Sequence, residues 1–97
     1  MTTDRDQILL WIEEERDEIV ALLQRLVRAR SPNPPGDTLA AAAVVRARLD
    51  AEALPYRIVD PNPVMPNFVG TFDGGLRGRH LVLNGHIDVF PVASDHG

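Results

Sequence analysis

The stretch Leu81-Val82-Leu83-Asn84-Gly85-His86-Ile87-Asp88-Val89-Phe90-Pro91 decides how the rest of this chain reads. Its apolar start predicts a strand over 79–84 with a continuous core at Leu81-Val82-Leu83. Gly85 then permits close approach of backbone or substrate. His86 and Asp88 follow two residues apart. On an extended backbone they project from one face, about 7 Å apart at the Cα atoms for a rise of ~3.3 Å per residue. That spacing suits a division of labour in which imidazole binds a metal through one nitrogen and a carboxylate accepts a hydrogen bond from the other N–H. The end of a sheet strand is also where open α/β folds place their sites. A His-x-Asp pair alone is unspecific, since three histidines and ordinary aspartate usage produce one by chance.

Working outward from that strand, Asp73-Gly74-Gly75-Leu76-Arg77-Gly78 reads as a turn. Asn67–Phe72 reads as a strand joined through it in an antiparallel hairpin, and Tyr56–Val59 as a further short strand. Three prolines in Pro61-Asn62-Pro63-Val64-Met65-Pro66 make that segment a loop. Toward the N-terminus, the Ala-rich run from Leu39 predicts a helix capped by Asp37 or Thr38, running to about Ala53 and stopped by Pro55. Before it, Ser31-Pro32-Asn33-Pro34-Pro35-Gly36 reads as a rigid connection. The first third predicts one long helix. Its apolar stripe is Ile8, Ile12, Ile19, Leu22 and Leu26, with Glu15 as the interrupting position and Trp11 as a packing residue. Asp4 and Gln7 resemble a capping box. The expected architecture is α/β, with two N-terminal helices packed on the first strands of a mixed sheet.

Composition narrows the chemistry. The chain has 97 residues, 44% hydrophobic and 25% charged, which argues for a folded domain over disorder. Its net charge of −4 speaks against a nucleic-acid partner. The longest apolar run, Leu39–Val45, is far short of the ~20 residues that cross a bilayer, and no secretory signal is legible at the start. A cytoplasmic protein with no membrane partner is the expectation. With no cysteine there is no disulfide framework, thiolate zinc site or Cys nucleophile. All ten basic residues are Arg, which excludes Schiff-base chemistry on lysine. Any metal site must use His and carboxylates. His80 lies ~20 Å from His86 along an ideal strand, and Asp95 and His96 sit at a chain end where fraying is the norm.

The apolar strand followed by N-G-H-x-D-V-x-P resembles the first metal-binding motif of a large zinc-dependent metallohydrolase family. That family includes acetylornithine deacetylase, succinyl-diaminopimelate desuccinylase, aminoacylase, glutamate carboxypeptidase and the dinuclear-zinc dipeptidases. The segment Leu26–Gly36, ending in Ser31-Pro32-Asn33-Pro34-Pro35-Gly36, is similar to the family's helix end and S-x-N-P-P-G turn. The resemblance covers nearly the whole chain, and the H-x-D string is its specific part. It implies a three-layer α/β/α zinc-exopeptidase-like catalytic domain of which residues 1–97 are the N-terminal part. The later carboxylates, the Glu-Glu pair, the distal histidine and the lid or dimerisation domain have no counterpart here. It implies that His86 is a ligand of one zinc and Asp88 the catalytic aspartate that orients it. The complete enzyme would hold two zinc ions, with cobalt able to replace them, and could be a homodimer. It would cleave amide or peptide bonds of N-acyl amino acids or small peptides through a metal-activated water. The chain alone is expected to be inactive. The rival reading is a non-catalytic α/β module, or a degenerate relative that keeps the sheet and has lost the metals.

Overall fold

In the computed structural model, residues 2–92 are described; Asp95 and His96 lie outside them. The N-terminal third is not the one long helix expected but two, α1 (Asp4–Glu14) and α2 (Arg16–Arg28), separated at Glu15. The interruption falls where the apolar spacing slips, and Glu15 leaves helical geometry with φ −91° and ψ 7°. The capping box is one residue earlier than Asp4 and Gln7 suggest. Thr3 Oγ1 accepts from the Asp6 backbone N–H, and the Asp6 carboxylate accepts from the Thr3 N–H. Thr3 is the better cap because its hydroxyl reaches the third helical N–H while an acid at that position bonds back. Trp11 is 56% exposed, so among the described residues it is not buried as a packing residue.

Helix α3 (Leu39–Ala51) starts after Thr38, and the Asp37 side chain accepts from the Leu39 N–H. It stops two residues before the expected Ala53, which instead takes a left-handed φ of 52° and lets the chain leave toward Pro55. Arg48 ties the helices together by pairing with Glu18 of α2 at 3.3 Å and with Glu52 at 3.2 Å. Strands β1 (Arg57–Val59) and β2 (Asn67–Val69) pair antiparallel, with Ile58 opposite Phe68. Tyr56 packs edge-on against Phe68, and its hydroxyl donates to Asp50 of α3, anchoring the hairpin to the helix.

The strand expected over 79–84, and the hairpin joining it to Asn67–Phe72, do not form. The turn between the two arms does, with Asp73 accepting from the Gly75 N–H. The arms line one shallow groove with no ladder between them. The physical reason is burial. Leu81, Val82 and Leu83 are 79%, 73% and 87% exposed, so a third strand would have nothing to bury its apolar faces against.

The best-buried residues are Ser31, Gly36, Thr38, Ala41 and Ala42. They mark where the proline loop meets the start of α3. Thr38 N–H donates to the Val64 carbonyl at 2.9 Å, which brings in the 61–66 loop. Val89 completes the junction through a parallel bridge to Pro32. Elsewhere the chain is open. Its radius of gyration is 16.5 Å, against about 13 Å for a compact domain of 100 residues.

Candidate functional site

The buried junction carries the chemistry on its rim. The Val89 N–H donates to the Ser31 carbonyl at 2.9 Å, and the Asn33 N–H donates to the Val89 carbonyl at 2.8 Å. These two bonds bring the residues around His86 and Asp88 beside the proline loop. Gly36 closes that loop by donating to the Pro32 carbonyl at 2.8 Å. Its φ of +89° favours glycine, and a Cβ there would strike the Met65 methyl group.

His86 Nδ1 lies 2.9 Å from Asp88 Oδ1 and also 2.9 Å from the Asp88 backbone oxygen. A carbonyl oxygen only accepts, so Nδ1 must be the protonated nitrogen. In the neutral ring Nε2 then holds the lone pair, and among the described residues it has no hydrogen-bond partner. The other carboxylate oxygen, Asp88 Oδ2, accepts from Asn33 Nδ2 at 3.0 Å. The Asn33 amide, followed by the His86 ring, holds the Asp88 carboxyl below its ordinary pKa. The His86 side chain is 84% exposed and that of Asp88 38%.

These residues line an open concavity of about 830 Å³ together with Arg57, Val59, Asn67 and Val69, which share one face of the β1–β2 pair. His80 lines a different groove, between the 70–73 and 79–83 arms. His86 and Asp88 are therefore brought together, and His80 is not brought to them. From sequence Asn33 reads as a connector; the structure adds its contact with Asp88. The S-P-N-P-P-G string was the available signal, since it puts one amide side chain between prolines that stiffen its backbone.

Whether these residues suit a metal can be judged from the donor set. An outward Nε2 backed by a carboxylate on Nδ1 fits one ligand position for a divalent ion. Among the described residues no three of His, Cys, Asp and Glu come together closely enough to hold one. The fit is to a single ligand.

Among curated proteins, the chain is similar to N-formyl-4-amino-5-aminomethyl-2-methylpyrimidine deformylase of Halalkalibacterium halodurans, at 32% identity over 90 residues. The match covers 90% of this chain and 21% of that protein, so the chain spans about a fifth of its relative's length. No protein-family model matches the chain, and no solved structure does. Among the described residues, no helix is long and apolar enough to cross a membrane.

Proposed function

We propose that this chain is the N-terminal part of the catalytic domain of a metal-dependent hydrolase. It would act on the amide bond of a small N-acylated molecule: an N-acyl amino acid, a small peptide, or an N-formyl amine of the kind named for its relative. The observation that carries this reading is the His86–Asp88 geometry, in which both acceptors sit on Nδ1 and Nε2 has no hydrogen-bond partner among the described residues. The similarity to a deformylase supports the reaction class. The zinc-exopeptidase-like fold belongs to the same proposal and is supported by the large apolar side chains left open on α1 and over 81–83, surfaces that further layers of a larger domain would cover.

In this reading His86 offers Nε2 to one of two divalent ions, zinc or cobalt. When bound, such ions polarise the scissile carbonyl and make water nucleophilic at neutral pH. Asp88 fixes the proton on Nδ1, keeps the ring from turning, and raises the basicity of Nε2. The adjoining concavity leaves room for a small substrate beside them. The general base would come from residues outside this chain.

The test has two arms. Zinc titrated into the 97-residue chain should bind weakly, perturb His86 Nε2 rather than Nδ1, and give no amine release from N-acyl amino acids. A catalytic zinc normally takes three protein ligands, and among the described residues no three candidate ligands come together. In the protein carrying the whole domain, His86→Ala should lose metal and turnover together, while Asp88→Asn should keep the fold and lose most turnover. Near wild-type turnover in His86→Ala would sink the reading and favour the non-catalytic module.

A further inference from the structure

We propose that Asn33 is a positioning residue whose side-chain amide locks the Asp88 carboxylate, and through it the orientation of the His86 ring, whose Nδ1–H also faces the Asp88 backbone oxygen. A carboxylate on a short side chain rotates broadly about its last bond, so one hydrogen bond to His86 would leave Asp88 free to swing. Here each oxygen has its own partner. Oδ1 faces His86 Nδ1 at 2.9 Å, and Oδ2 accepts from Asn33 Nδ2 at 3.0 Å. Turning the carboxylate breaks both bonds at once.

Asn33 can serve as the fixed point because its own backbone is held. It lies between Pro32 and Pro34, which restrict the backbone on both sides. Its N–H is bonded to the Val89 carbonyl at 2.8 Å, one residue past Asp88. Gly36 turns the loop back through its bond to Pro32, beside the Asn33 side chain. The amide therefore reaches Asp88 from a bracket that does not depend on Asp88 for its shape. The result is a three-member chain from Asn33 through Asp88 to His86, drawn from two segments 55 residues apart. Its catalytic meaning rests on the hydrolase reading above. Its geometry does not.

The experiment is ¹⁵N NMR of the His86 ring in the 97-residue chain, at a pH near 8 where an ordinary imidazole is neutral. The wild-type chain should show a protonated Nδ1 and an unprotonated Nε2. Asn33→Asp keeps the size of the side chain but removes the donor and sets a second carboxylate against Asp88. Asn33→Ser removes the amide with no change of charge. Both should shift the Nδ1 signal, because the ring loses the fixed carboxylate and keeps only the Asp88 backbone oxygen, while α3 amide signals stay in place. In the Asp88→Asn background, adding Asn33→Ser should change nothing further, because the residue acts only through Asp88. Zinc alone, titrated into the chain, should bind Asn33→Ser about 10-fold more weakly than wild type. An unchanged ring pattern in both variants would overturn the proposal. So would a change seen only where the Ser31–Val89 bridge is lost, since Asn33 would then act through the backbone alone. Zinc perturbing Nε2 with no effect of either substitution would leave the hydrolase reading standing and remove Asn33 from it.

Discussion

Val89 is pinned on both sides by the proline loop: it donates to Ser31 and accepts from Asn33, at 2.9 and 2.8 Å. That pairing sets the register in which Asp88 meets the Asn33 amide and His86 meets Asp88. Val89→Pro deletes the donor and with it one of the two bonds. A lost backbone bond of this kind costs about 0.5–1.5 kcal/mol. The expected outcome is loss of the His86–Asp88 contact with α2 and α3 still helical. Amide exchange at Asn33 alongside the His86 ring signals would read it, and an intact ring pattern would contradict the register argument.

Gly36→Ala should destabilise the chain by about 1–3 kcal/mol, because a left-handed φ and a collision with Met65 act together. Met65→Ala in the same chain removes the collision and leaves the backbone cost. The double variant should therefore recover part of the loss. Denaturant midpoints of the four chains measure both contributions, and no recovery would mean that Met65 yields freely.

The pH response of the site follows from Asp88. Its folded carboxyl titrates below its ordinary value, with the Asn33 amide as the main cause and His86 as the second. An unfolded aspartate titrates near about 3.9. A depressed folded pKa adds stability above the unfolded value, and that contribution disappears as pH falls through the folded one. The cluster should thus survive mild acid and come apart below pH ~3.9. In Asn33→Ser, the Asp88 carboxyl ¹³C midpoint should move upward. An unmoved midpoint would show that the amide does not stabilise the anion.

Tyr56 responds in the opposite direction. Its hydroxyl donates to Asp50 at 2.7 Å, and that bond, ahead of burial and the Asp50 charge, raises the phenol pKa. The contribution is complete below the ordinary pKa of 10.0 and is lost as pH rises through the raised folded value. Absorbance titration should show Tyr56→Phe lacking this step and holding the β1–β2 hairpin less firmly to α3.

The apolar 81–83 segment, with Phe72 and Leu76 at 84% and 92% exposure, gives the isolated chain a sticky face. Dye binding and concentration-dependent association are expected. Leu81→Lys with Leu83→Lys should reduce both without altering α1 to α3. A sharp, monomeric unfolding transition with no dye binding in the wild-type chain would refute this.

What was legible in the residues divides by range. The helices, the proline loops and the Asp73–Gly75 turn follow from local chemistry, and they sit within a few residues of expectation. The first third is the exception among the helices: one long helix was expected, and the chain breaks it in two at Glu15. The pairing of His86 with Asp88 was visible, since period-two geometry needs only the two residues. The strand over 79–84 was misjudged because apolar runs report a preference for burial, and Leu81–Leu83 find no covering layer among the described residues. Asn33 was missed for a different reason. Its partner lies 55 residues away, and no local pattern announces a contact at that range.

That separation sets an order of events. Closing a flexible loop of 55 residues costs roughly 3–4 kcal/mol of chain entropy, from (3/2)RT ln n, whereas each helix and the β1–β2 hairpin closes over its own short span. Translation proceeds at about 5–20 residues per second, so Asp88 is added to the growing chain some 3–11 s after Asn33. Through that interval Asn33 has neither the Asp88 carboxylate nor the Val89 carbonyl to bond. The trio is a contact between an early-made amide and a late-made carboxylate, and it can close only after both helices of the N-terminal third and the β1–β2 hairpin have been synthesised.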